Sequence, residues 1–88
     1  MARLYQIRRD FDASYKLVSN INNVYHYMIL EWELEPLVSK SSFYYHLNRN
    51  DKFVCACKKD DVAYCNVIIV RLHLVGNAEI QDLKLIKG

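Results

Sequence analysis

The sequence predicts an α+β domain in which an antiparallel sheet of about four strands carries two helices, packed mainly on one face. Two observations lead to this prediction. Apolar residues recur at three- and four-residue steps over residues 12–31, and alternating apolar residues mark three strands between residues 52 and 86. The first period is typical of an amphipathic helix and the second of a strand. Because the turns between the strands are short, the strands are expected to be antiparallel, in the order β-α-α-β-β-β.

The composition is that of one globular domain spanning residues 1–88. Hydrophobic residues make up 52% of the chain and charged residues 25%, with 2 glycines and 1 proline, which argues against disorder. The net charge is +2, and the basic residues are spread among acidic ones. Since a nucleic-acid-binding surface concentrates positive charge on one face, this pattern disfavours a nucleic-acid partner.

The N-terminal third predicts a strand followed by a helix. Residues 3–9, RLYQIRR, alternate loosely, as in a short strand near a sheet edge. Asp10 or Asp12 then supplies an N-cap for a helix over residues 12–31. Asparagines are poor helix formers, so Asn20 and its neighbours predict a bend or a division into two pieces. The packed face of this region is Phe11, Tyr15, Val18, Ile21, Tyr25, Met28 and Trp32.

Pro36 predicts a boundary, because the residue before a proline is pushed out of the helical region. A second and shorter helix, SSFYYHLNR, follows it. Ser39, Ser41 or Ser42 can cap this helix, and Phe43 is expected to face inward.

The last third predicts three strands joined by a KKDD turn and a Gly-Asn turn. The third strand covers residues 78–86. The second strand is apolar on both faces over its first half, which predicts cover on each side. Three residues share one face of the first strand: Phe53, Cys55 and Cys57. The most buried residues of the second are expected to be Ile68, Val70 and Leu72, packed against Val18, Ile21 and Tyr25.

Three cysteines in a chain without an apolar leader segment predict reduced thiols in a cytoplasmic protein. Cys55 and Cys57 form a C-x-C pair on a strand, unlike the C-x-x-C knuckle of structural zinc sites. His73 lies about eight strand steps from Cys65, roughly 26 Å along an extended chain. We therefore predict buried thiols and no metal site. The apolar runs are also too short to span a bilayer, so no membrane partner is expected.

The segments IRRDFDASYKLV and AEIQDLKL, with the aromatic helix and hairpin between them, resemble the N-terminal half of the GNAT-superfamily N-acetyltransferases. Within that family the chain is most similar to the ribosomal-protein-alanine acetyltransferase branch. In that family the fourth strand often reads small-Glu-Ile-x-x-Leu-x-Val. Residues 78–85 of this chain match the pattern, with Leu85 in place of the valine. The resemblance implies that Glu79 is a general base and that Leu83, Lys84 and Leu85 pair with the pantetheine of acetyl-CoA. If the resemblance is set aside, the sequence predicts that Glu79 is an exposed strand residue beside a turn.

The family's glycine-rich pyrophosphate loop is missing, because the only glycines are Gly76 and Gly88. Backbone N–H groups of such a loop hold the cofactor phosphates. We therefore expect no cofactor to bind tightly, and acetyl-CoA to bind only if the resemblance holds. These features favour a truncated GNAT-like domain without independent acetyl-transfer activity, forming a homo-oligomer through the edge of residues 78–86. The alternative is a small protein-interaction or regulatory protein, of viral or mobile-element origin, that binds a protein partner through an aromatic surface.

Overall fold

A computed structural model describes residues 3–72, and it confirms the α+β class. Within residues 3–72 the strands form one antiparallel sheet of five strands, slightly more than predicted, in the order β2-β1-β5-β4-β3. The predicted strand at residues 78–86 lies outside the described residues. The elements are β1 (Leu4–Arg9), β2 (Lys16–Ser19), α1 (Ile21–Leu30), β3 (Glu35–Pro36), α2 (Lys40–Arg49), β4 (Lys52–Lys59) and β5 (Val62–Leu72).

Both helices pack on the same face of the sheet, as predicted. Val24 and Met28 of α1 and Phe43 and Leu47 of α2 are buried against alternate residues of the strands. Because side chains alternate across a strand, these alternate residues all point to the helix side. The strand residues of this core are Tyr5, Ile7, Cys55, Cys57, Val67 and Ile69.

The prediction for the buried face of β5 is wrong. Val67 and Ile69 are fully buried, whereas Ile68, Val70 and Leu72 are half-buried on the opposite side. Both faces of this strand are apolar, so the alternation alone does not tell which face the helices cover. The register makes the difference, because it places Ile69 between the buried Ile7 of β1 and the partly buried Phe53 of β4.

The predicted helix over residues 12–31 is also wrong in its first half. Residues 16–19 form β2, which pairs with β1, and the helix begins only at Ile21. The chain does divide at Asn20, whose backbone has φ 67 and ψ 143 and therefore cannot continue a helix. β1 is consequently not an edge strand, since it lies between β2 and β5.

Asp12 forms a turn and caps no helix. Its carboxylate accepts a hydrogen bond from the backbone N–H of Ser14 at 2.9 Å. This bond, together with the ion pair to Arg9, lowers the pKa of Asp12. Phe11 is 59% exposed and so lies outside the packed face predicted for it, because the turn carries it away from α1.

The second helix and the hairpin turn confirm two local predictions. The Ser39 hydroxyl accepts a hydrogen bond from the backbone N–H of Ser42 at 3.1 Å, so Ser39 is the N-cap of α2. Asp60 and Asp61 both have positive φ, 54 and 64. Two successive residues in this region are typical of the tight turn whose twist matches a β-hairpin.

Asn20→Gly is expected to stabilise the domain. Asn20 occupies a backbone region that is readily accessible only to glycine, which costs about 1–3 kcal/mol, and its side chain makes no capping hydrogen bond. The greater flexibility of glycine in the unfolded chain offsets about 0.5–1 kcal/mol of that. Urea denaturation should therefore show a free energy of unfolding about 1 kcal/mol higher.

The matched control is Asn23→Gly. Asn23 is exposed and lies inside α1, where glycine is a poorer helix former than asparagine. This variant should be slightly less stable than the native chain. A loss of stability in both variants would show that Asn20 carries no backbone strain.

Candidate functional site

The site residues implied by the acetyltransferase resemblance lie outside the described part of the chain. Glu79, Leu83, Lys84 and Leu85 all follow residue 72, where the description ends. The general base and the acetyl-CoA contacts therefore stay predictions. His73, considered and rejected as a zinc ligand, also lies beyond this point.

The sheet side opposite the two helices is the most extended candidate surface. Among residues 3–72, the buried core lies entirely on the helix side and no helix packs on this opposite side. We call it the uncovered face. The strand pairings place on it Leu4, Gln6, Arg8, Leu17, Ser19, Lys52, Val54, Ala56, Asn66, Ile68, Val70 and Leu72.

The centre of the uncovered face is apolar across four adjacent strands. Val54 lies opposite Ile68, and Leu72 lies opposite Leu4. At the β2 edge, Leu17 lies opposite Gln6 and diagonally across from Leu4, so the apolar strip continues there around one polar side chain. Val54 is 50% exposed and Leu17 is 47% exposed. Strands are spaced about 4.8 Å apart, so the strip is roughly 15 Å wide, and contiguous apolar surface of this kind marks interaction sites.

Two cations, Arg8 and Lys52, border the apolar centre of the uncovered face, and one carboxylate, that of Asp10, accepts a hydrogen bond of 3.2 Å from the Asn66 side chain at its end. Arg8 lies opposite Ile68, and Lys52 lies opposite Val70, so both flank the apolar centre. Nη1 of Arg8 donates only long hydrogen bonds of 3.4 Å to two main-chain carbonyls. Within residues 3–72, neither side chain forms an ion pair with a carboxylate. The apolar strip is thus bordered by positive charge.

The aromatic residues of the helices form the second candidate surface, which the sequence predicted as a partner-binding site. The Tyr44 hydroxyl donates a hydrogen bond of 2.6 Å to the Asn22 side chain and so joins α2 to α1. The ring of Tyr25 lies 5.2 Å from that of Phe43, and Nζ of Lys40 lies 5.3 Å above it. Burial raises the pKa of Tyr44. Much of this aromatic surface is therefore occupied in holding the two helices together.

Cys55, Cys57 and Cys65 have free thiols. The pKa of Cys57 is raised, first by its hydrogen bond with Cys55 and then by burial. Burial also raises the pKa of Cys65. Since a thiol must lose its proton to act as a nucleophile, Cys57 and Cys65 are poorly suited to covalent catalysis. The same hydrogen bond with Cys57 lowers the pKa of Cys55, but that thiol is buried in the core. Across residues 3–72, no cluster of cysteine, histidine and carboxylate side chains could hold a metal ion.

Sequence reasoning missed the uncovered face because it assigned cover to both sides of β5. One signal was present: the sequence predicted only two helices to cover two apolar faces, and residues 3–72 contain two. In the described part of the chain, no helix is long and apolar enough to cross a membrane. Comparison with protein-family models, curated proteins and solved structures finds nothing that matches this chain.

Proposed function

We propose that this domain is a protein-interaction module that binds an acidic amphipathic helix of a partner protein on its uncovered face. The observation that carries the proposal is the apolar strip of Leu17, Val54 and Ile68, which nothing among residues 3–72 covers. Burial of apolar area contributes about 25 cal/mol per Å² to association. The expected location is the cytoplasm, because its reducing conditions keep free thiols such as these three reduced.

The geometry of the strip favours a helix as the occupant. An amphipathic helix with its side chains is about 10–12 Å in diameter, and so fits a strip roughly 15 Å wide. Its apolar stripe would lie over Val54 and Ile68, which are Cα partners at the centre of the face. Peptide recognition by a helix laid on an apolar surface uses anchors at three- and four-residue steps.

The charges on the strip favour an acidic occupant. A partner that covers the face removes water from Arg8 and Lys52, and desolvated cations need carboxylates to compensate. A second copy of the chain is a poorer occupant, because two uncovered faces in contact would bury four cations, Arg8 and Lys52 of each copy, against the two Asp10 carboxylates. Charge complementarity thus distinguishes a foreign acidic segment from self-association on this face.

Binding can be tested with two labelled amphipathic peptides that share one leucine face. One carries glutamates beside that face and the other carries lysines in the same positions. Fluorescence anisotropy with the 88-residue protein should show binding of the glutamate peptide, weakened by salt, and at least tenfold weaker binding of the lysine peptide.

Val54→Glu is expected to weaken binding of the glutamate peptide by at least tenfold, because it places a carboxylate in the apolar centre. Leu30→Glu is the matched control. Leu30 is also an exposed aliphatic residue, 71% accessible, but it lies on α1 on the helix side. Equal binding by both variants, or no binding of either peptide to the native chain, would refute the proposed function.

The acetyltransferase resemblance makes a separate prediction. Calorimetry of the 88-residue chain with acetyl-CoA is expected to show no tight binding, because the sequence contains no glycine-rich loop that could hold the cofactor phosphates. Binding in the micromolar range would favour the acetyltransferase interpretation over the interaction module.

A further inference from the structure

The two edges of the sheet differ in how well they are protected against pairing. At one edge, β3 has only two residues, and one of them is Pro36, which lacks a backbone N–H. At the other edge, β2 has four residues, Lys16–Ser19, and no proline. Short strands and prolines are the usual devices that block edge pairing. The β3 edge is therefore blunted, whereas no strand among residues 3–72 covers the β2 edge.

The outward hydrogen-bonding groups of β2 follow from its pairing with β1. The backbone N–H of Asn20 donates to the carbonyl of Arg3, which fixes the alternation along the strand. In an antiparallel pair every second residue bonds to its partner strand, and the residues between point away. Leu17 and Ser19 therefore direct their N–H and C=O groups outward. No other strand among residues 3–72 pairs with them.

The side chains along this edge are suited to pairing. Leu17 is half-exposed, and Val18 is partly buried against the core. An open groove of about 480 Å³ lies beside the first two residues of the strand and the turn before it. Its lining comprises Ala13, Ser14, Tyr15, Lys16 and Leu17. Lys16 is the only charged residue within β2.

We propose that β2 pairs in antiparallel fashion with β2 of a second copy, about a two-fold axis. In the register centred on Val18, Leu17 lies opposite Ser19 of the partner subunit and bonds to it through both backbone groups. Val18 then lies opposite Val18 of the partner subunit, in a pair without hydrogen bonds where side chains approach closely. Lys16 lies opposite Asn20 of the partner subunit, so like charges are not opposed.

A second copy fits this edge better than a flexible peptide. Each β2 is already held extended by four Cα pairings with β1. A free peptide would lose about 1–2 kcal/mol of backbone entropy for each residue that it ordered, whereas two preformed strands lose much less. Because the edge is short, the dimer is expected to be weak and to depend on protein concentration.

Sedimentation velocity on the 88-residue chain over a concentration series tests the proposal. Leu17→Pro removes an outward N–H without removing a bond to β1, so this variant is expected to remain monomeric. Leu17→Val keeps the N–H and is expected to dimerise like the native chain. A native chain that is monomeric at every concentration, or a Leu17→Pro variant that dimerises normally, would overturn the proposal.

A second variant decides the matter if Leu17→Pro fails to fold, as judged by circular dichroism. The double substitution Leu17→Lys with Ser19→Lys brings lysines opposite one another across the two-fold axis, and is expected to abolish the dimer while leaving the circular dichroism spectrum unchanged. Normal dimerisation of a folded double variant would also refute the model. Val54→Glu lies away from the edge and should dimerise normally, so failure of peptide binding and failure of dimerisation are separate results.

Discussion

Phe43→Ala is expected to lower the free energy of unfolding by about 3–5 kcal/mol. Phe43 is fully buried between the helices and the sheet. Its ring centroid lies 5.2 Å from that of Tyr25 and 6.1 Å from that of Phe53. Removal of the ring would leave a cavity in the core and would also end these edge-to-face contacts. Urea denaturation followed by circular dichroism measures the loss.

Tyr45→Ala is the matched control for this prediction. Tyr45 lies two positions further along α2 and is 56% exposed. Apart from the loss of its contact with Arg49, its truncation should change the free energy of unfolding by about 0.5 kcal/mol or less. Similar losses in the two variants would mean that α2 presents a different face to the sheet.

Ile69→Ala is expected to lower the free energy of unfolding by about 2–5 kcal/mol. Ile69 is fully buried on β5, with Ile7 and Phe53 as its partners on the neighbouring strands. Its truncation therefore opens a cavity beneath the helices, in the middle of the core. Chemical denaturation of the native and variant chains gives the difference directly.

Ile68→Ala removes the same atoms from the opposite face of the same strand. Ile68 is half-buried on the uncovered face, so its truncation removes fewer contacts. Ile68→Ala should therefore lower the free energy of unfolding clearly less than Ile69→Ala does. A loss as large as that of Ile69→Ala would show that the uncovered face is packed in the intact chain. The pair of variants thus tests both the assignment of the buried face and the proposed docking surface.

Local signals in the sequence were sufficient for α2 and for the hairpin. The helix cap and the hairpin turn depend on groups within a few residues. Of the three serines predicted as caps, Ser39 is the one that caps α2, and the turn predicted over KKDD lies at Asp60 and Asp61, with both lysines in β4. The class of the fold followed from the same signals, since two helical periods and a hairpin already imply an antiparallel α+β arrangement.

The features that the sequence did not predict correctly depend on pairing between residues that are distant in the chain. The spacing of Tyr15 and Val18 is compatible with a helix, but pairing with β1 satisfies the backbone of residues 16–19 as a strand. The sequence of β5 does not distinguish its two apolar faces, and only the packing of the helices determines which one is buried. The candidate site could not be predicted for the same reason. The uncovered face joins residues of four strands through long-range pairing and corresponds to no local motif.

The position of β1 has a consequence for synthesis on the ribosome. Leu4 is paired with Leu72, so the second edge of β1 stays unfilled until the residues of β5, 62–72, have been made. β1 and β2 can form a hairpin early, but Val67 and Ile69 are missing from the core until β5 has emerged. Pairings this distant in sequence slow folding, since a long loop must close before the contacts form. The nascent β1–β2 hairpin therefore exposes one unpaired edge of β1 and its apolar face until β5 has emerged, and such edges are prone to aggregation.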